Sequence, residues 1–103
     1  AVIGAAQLRS ARALLGIDQR QLATMSGLSL PTIQRMEAST DIIRGNVDSL
    51  MKLVVALDRA GIEFIAQGAQ SLEGGRGVRF LGEEKSGRVG RARDWLLSGS
   101  RAA

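Results

Sequence analysis

Between Gln19 and Glu37, three residues stand at intervals that few arrangements of a chain satisfy together: Ala23, Gly27 and Ile33, the fifth, ninth and fifteenth positions counted from Gln19. Each has a steric meaning. A small side chain at Ala23 lets a second helix approach the first, and Gly27 adopts the left-handed backbone with which a chain reverses between closely packed helices; Ile33 then falls on the inward face of the second helix. The flanking residues agree. Asp18, followed three residues later by Gln21, is a capping-box start for a helix through about Met25, with Leu22 and Ala23 on its buried side. Ser29 caps the next helix, Pro31 occupies its first turn, where a missing N–H leaves no intrahelical bond unmade, and Ile33 and Met36 point to the core.

The same logic extends in both directions. Over roughly residues 5 to 15, Leu8, Ala11 and Leu15 share one face while Gln7, Arg9 and Ser10 fall elsewhere, and Gly16 supplies a left-handed stop. After the connector STDIIRG, Asn46 caps a fourth helix carrying Val47, Leu50, Leu53, Val54 and Leu57 at spacings of three and four, which Gly61 closes. The composition then changes. IEFI at 62–65 and VRFL at 78–81 alternate and are β-branched or aromatic, so they read as paired strands joined by a long loop, AQGAQSLEGGRG. The chain thus divides into three regions: a helical head at 1–61, a hairpin at 62–82 and a basic Gly/Arg-rich tail at 83–103. In the tail, RARDWLLS has the apolar residues of a short docked helix, and from Lys85 to Ala103 the bases Lys85, Arg88, Arg91, Arg93 and Arg101 stand against one acid, Asp94, a balance suited to nonspecific phosphate binding.

Composition removes whole classes of function. With 103 residues there is room for one domain and a tail, and with no cysteine and no histidine there is no disulfide, no thiolate or imidazole metal site and no Ser-His or Cys-His nucleophile. No enzyme, metal or cofactor is expected. Glu83 and Glu84 are neighbours in a Gly-flanked segment and read as solvated charge, not as an acid/base pair, and GGRG at 74–77 lacks the spacing and the lysine of a phosphate-binding loop. Apolar residues make up 45 %, yet only Phe64, Phe80 and Trp95 are aromatic, so the core is aliphatic and helical. The net charge is +4, and twelve of the fourteen basic residues are arginine, which favours planar contacts to phosphate, guanine or carboxylate. No run of about 18 apolar residues exists, so no membrane partner is expected, and the start, AVIGAAQLR, lacks the pattern of a secretory leader. The expected location is cytoplasmic, with the nucleoid.

The stretch LRSARALLGIDQRQLATMSGLSLPTIQRME resembles the Cro/repressor-type, or XRE, family of helix-turn-helix transcriptional regulators, and the likeness covers about residues 5 to 60. LDRAGIEFI and GGRGVRFL look similar to a bacterial subgroup in which the helical head is followed by a β-hairpin. The fold class so implied is mainly α with a small β-hairpin: a lambda-repressor-like DNA-binding head, then two strands. In that family the third helix lies in the major groove, so the resemblance implies that Leu30, Pro31, Thr32 and Arg35 face base edges. Arg35 can offer two N–H groups to O6 and N7 of a guanine, whereas Leu30 and Pro31, which depart from the amide-rich start of several phage relatives, offer only apolar contact such as to a thymine methyl. Gln19, Ser29 and Gln34 would hold phosphates. The resemblance also sets Arg12 opposite Glu37 as a structural salt bridge.

The function implied is sequence-specific transcriptional regulation, by a homodimer on a pseudo-palindromic operator in double-stranded DNA. A lone hairpin leaves unpaired edges, so Ile62, Phe64, Val78 and Phe80 are expected at the dimer interface; the rival placement packs the two phenylalanines on the chain's own fourth helix. The alternative function is an antitoxin-like module whose hairpin or tail binds a partner protein, with DNA binding serving only autoregulation.

Overall fold

The computed structural model describes residues 3–40, 42–43, 45–81 and 94–97. Four helices carry the head: α1 (Ala5–Leu15), α2 (Gln19–Ser26), α3 (Leu30–Glu37) and α4 (Val47–Arg59). Their starts are fixed by local hydrogen bonds that satisfy N–H groups a helix cannot pair internally. Gly4 N–H donates to Gln7 Oε1 at 2.9 Å ahead of α1. Asp18 and Gln21 form the reciprocal pair at the head of α2, at 2.7 and 2.9 Å. Ser29 Oγ accepts from Thr32 N–H at α3, and Asn46 Oδ1 from Ser49 N–H at α4. Gly16 and Gly27 end the first two helices in the left-handed region, at φ 68° and 73°. The other two end on Ala38 and Ala60 in right-handed conformation, so Gly61 lies one residue beyond the cap of α4, its N–H bonded to Asp58 O.

Every helix contributes to one aliphatic core. Leu8, Leu22, Ile33, Leu53 and Leu57 are fully buried, with Ala5, Ala11 and Met36 around them. Burying side chains of this size contributes about 1.5–3 kcal/mol each, which is what holds three short helices that would not persist alone. Val47 departs from the expected core face of α4 and is 73 % exposed, while Leu50 and Val54 are partly buried. It belongs instead to the row Val47, Met51 and Val55, four residues apart, which turns away from Leu53 and Leu57.

The connector between α3 and α4 does more than join them. Ile43 N–H donates to Ile3 O at 2.8 Å, Gly4 and Ile42 form an antiparallel bridge, and Ile3 and Ile43 are both buried. The loop thus closes the core over the start of α1.

The expected β-hairpin is not formed; among the described residues there is no strand. Residues 62–65 run back over the head instead, with Ile62 N–H on Leu57 O at 2.9 Å and Ile65 O accepting from Gln7 Nε2 at 3.2 Å. Ile62 and Phe64 pack partly buried against the helical core. Their alternation is therefore real, and the surface that partly covers it is the chain's own head. Side-chain bonds hold residues 66–79 out of ladder geometry. Glu63 accepts from Ser71 Oγ and Leu72 N–H at 2.8 and 2.7 Å, Ser71 Oγ accepts from Gly74 N–H, and the Arg79 guanidinium donates to Ala66 O and Ala69 O. The bonds to Glu63 pull its carboxyl below its ordinary pKa, the Leu72 N–H contributing most. Val78 and Phe80 are left exposed. The helical residues 94–97 are exposed as well, and the rest of the basic tail, with Glu83 and Glu84, lies outside the described residues.

Candidate nucleic-acid interface

Helix α3 is eight residues long, and its faces are sharply divided. Ile33, Met36 and Glu37 are buried, whereas Pro31, Gln34 and Arg35 are exposed. Positions three and four apart share a face, so Pro31, Gln34 and Arg35 form one outward surface, flanked on either side by the half-buried Leu30 and Thr32. Gln34, expected on the phosphates, thus stands with Arg35. Ser29 spends its hydroxyl on the cap, with its Oγ 2.8 Å from Thr32 Oγ1, so both hydroxyls are drawn to the start of the helix. Because Pro31 has no N–H and that of Thr32 is bonded to the cap, the backbone donors this N-terminus can offer an anion are those of Ser29 and Leu30.

The orientation of α3 is set at its other end by Glu37. Arg12 Nε donates to Glu37 Oε2 at 2.6 Å and Arg12 Nη2 to Oε1 at 2.8 Å, a two-pronged pair between α1 and α3. Gln19 Nε2, on the first residue of α2, donates to the same Oε1 at 3.0 Å. Arg9 reaches the Glu37 backbone carbonyl, and Arg12 Nη1 the Ile17 carbonyl at 3.3 Å. One carboxylate therefore joins three helices. Its side chain is 3 % exposed, and burial pushes its pKa up; the hydrogen bonds from Arg12 and Gln19 and the charges of Arg12 and Arg9 more than reverse this, so the carboxyl lies below the ordinary glutamate range. The bond to Glu37 correspondingly raises the pKa of Arg12. Among the described residues no buried side-chain nitrogen or oxygen lacks a partner.

Gln19 thus divides its side-chain amide: one N–H serves the Glu37 cluster, and the other, with the backbone N–H at the start of α2, is left for a phosphate. Sequence reasoning misses Arg9, although it precedes Arg12 by three residues and shares its side of α1; a backbone acceptor leaves no mark in a sequence. Among the described residues no three Asp or Glu side chains gather as a metal site would require.

Two helices joined through a left-handed glycine, the second presenting a polar, solvent-facing side and anchored from behind, define a helix-turn-helix DNA-binding head. The comparison of families agrees: a model described as helix-turn-helix matches residues 8–60, just over half of the chain. The chain belongs to this family, the XRE-type helix-turn-helix proteins, and is a DNA-binding transcription regulator of that type. The match ends before Ile62, and no subgroup with a C-terminal hairpin is supported. No curated protein and no solved structure matches the chain. Among the described residues no helix is long and apolar enough to cross a membrane.

Proposed function

We propose that the chain binds a specific sequence in double-stranded DNA and does so as a dimer on a pseudo-palindromic operator, with α3 in the major groove. The observation that carries this reading is the division of α3: Pro31, Gln34 and Arg35 face outward while Ile33, Met36 and Glu37 fix the helix from behind. Arg35 reads a guanine through two N–H groups; Thr32, Pro31 and Leu30 contact neighbouring base edges and methyl groups. The backbone N–H groups at the starts of α2 and α3, at Gln19 and Ser29, hold phosphates, and Gln34 reaches either a phosphate or an adenine edge beside Arg35. No step of this activity requires a cofactor or a reactive side chain, and the protein acts at the nucleoid.

Selection of bound duplexes from a random pool tests it. Enrichment of an inverted repeat whose half-sites are about one helical turn apart is the expected result. A pool that remains random after repeated rounds would remove sequence-specific recognition. The exposure of Leu72, Val78 and Phe80 favours a second reading, in which this region binds a partner protein in the manner of an antitoxin and DNA binding serves autoregulation. A one-to-one complex with the product of an adjacent gene distinguishes it.

A further inference from the structure

Helix α4 has a second apolar face. Leu53 and Leu57 fill the core, while Val47, Met51 and Val55 form a stripe down the solvent side, 73, 54 and 38 % exposed. Beside the stripe, between α2 and α4, lies an open groove of about 570 Å³ whose apolar walls include Met25, Met51, Val55 and Ala56. A three-residue apolar stripe next to an apolar groove is more than the scattered single exposures that a soluble surface ordinarily carries.

The charges along the edge of that stripe indicate what covers it. Asp48 and Lys52, both exposed, stand one turn apart on the same side of α4. Two α4 helices packed parallel about a two-fold axis would turn the Asp48–Lys52 edge of each copy to opposite sides of the contact, where these charges do not meet. Packed antiparallel about a two-fold axis at Met51, Val47 of each copy lies level with Val55 of the other, and the same edges meet, with Asp48 of each within two residues' rise, about 3 Å, of Lys52 of the other. The charged edge is thus complementary to itself in the antiparallel orientation. We infer that the Val47–Met51–Val55 face of α4 is a docking surface for a second copy of this chain, packed antiparallel and isologous. This surface gives the dimer proposed above its interface and rests on that reading for its biological use, but its test needs no DNA. A 13-residue helix is about 20 Å long, so this contact is smaller than the roughly 800 Å² per partner of a standard interface, and association in the micromolar range is expected.

Sedimentation of the full chain at about 1 μM to 1 mM, with and without substitutions, tests the surface. Met51→Asp, at a solvent-facing position, is expected to weaken self-association by about tenfold or more while leaving thermal unfolding of the head in place. The sharper test mixes two variants. Asp48→Lys makes both edge positions basic and Lys52→Asp makes both acidic; each alone is expected to be monomeric where the parent chain is dimeric, and an equimolar mixture to recover the dimer. Only a contact between copies responds to mixing, because any effect inside a helix is the same in both samples. A parent chain that is monomeric throughout overturns both the surface and the dimeric reading. Dimers that persist in Met51→Asp, or charge variants that fail to recover on mixing, overturn this surface and leave the dimeric reading standing on some other face.

Discussion

Glu37 carries more of the head's geometry than any other polar residue, because Arg12, Gln19 and Arg9 all end on it. A carboxylate buried to this degree is stabilising only while its donors are in place; removing one partner strands the other charge, at a cost of about 3–5 kcal/mol, whereas removing both costs much less. Arg12→Met and Glu37→Leu should each lower the stability of the head by an amount in that range, with Glu37→Leu, which strands only the partly exposed Arg12, at its lower end, and the double variant should recover much of the loss. Chemical denaturation of the four proteins of this cycle checks it, and a coupling near zero would mean that the pair contributes nothing. The lowered Glu37 pKa fixes a pH dependence. Because the folded state holds this carboxyl ionised more firmly than the unfolded chain does, its contribution is complete above the ordinary glutamate pKa and is lost as pH falls through the lowered one. Denaturation midpoints taken from neutral pH down to about pH 3 should therefore fall less steeply for Glu37→Gln than for the parent chain, which starts higher. The Arg12–Glu37 pairing was legible through the family pattern. Gln19 in the same cluster was not, since an amide at a helix start serves a phosphate or a neighbouring carboxylate equally well, and only packing decides.

Among the elements, the turn and the cap ahead of α3 decide how that helix is set on the head. Gly27 has φ 73° with open space where a Cβ would sit, so Gly27→Ala meets no clash but carries the left-handed penalty, about 1–2 kcal/mol in thermal or chemical unfolding. Ser29→Ala removes the hydroxyl that accepts from Thr32 N–H and should cost about 1 kcal/mol. Both substitutions should weaken binding to specific and random DNA together, since neither touches a base. These elements were legible because capping and left-handed stops are decided within four or five residues of chain: Asp18 with Gln21, Gly16, Gly27, Ser29 and Asn46 all act as their sequence positions require. IEFI was not legible in the same way. Alternation tells that Ile62 and Phe64 share a buried side, and it carries no information about whether a strand or a helical head covers them. The Ile43–Ile3 contact escaped for a related reason, since a pair of isoleucines inside a polar connector gives no period at all.

For the molecule as a whole, the boundary of the folded unit lies past α4. Ile62 and Phe64 lean on the core and Ile65 O holds Gln7, so a chain ending at Gly61 loses part of its own core and should be less stable by about 2 kcal/mol or more. A chain ending at Gln67 keeps those contacts and should unfold within about 0.5 kcal/mol of the parent, which calorimetry of the two truncations separates. The central claim is that α3 reads sequence through Arg35, and repeating the selection from random duplexes with Arg35→Ala tests it most directly. The variant is expected still to enrich an inverted repeat but to lose discrimination at one base pair per half-site, by about 1–3 kcal/mol, the lost base being a guanine in the parent motif. An unchanged motif from the variant would contradict it.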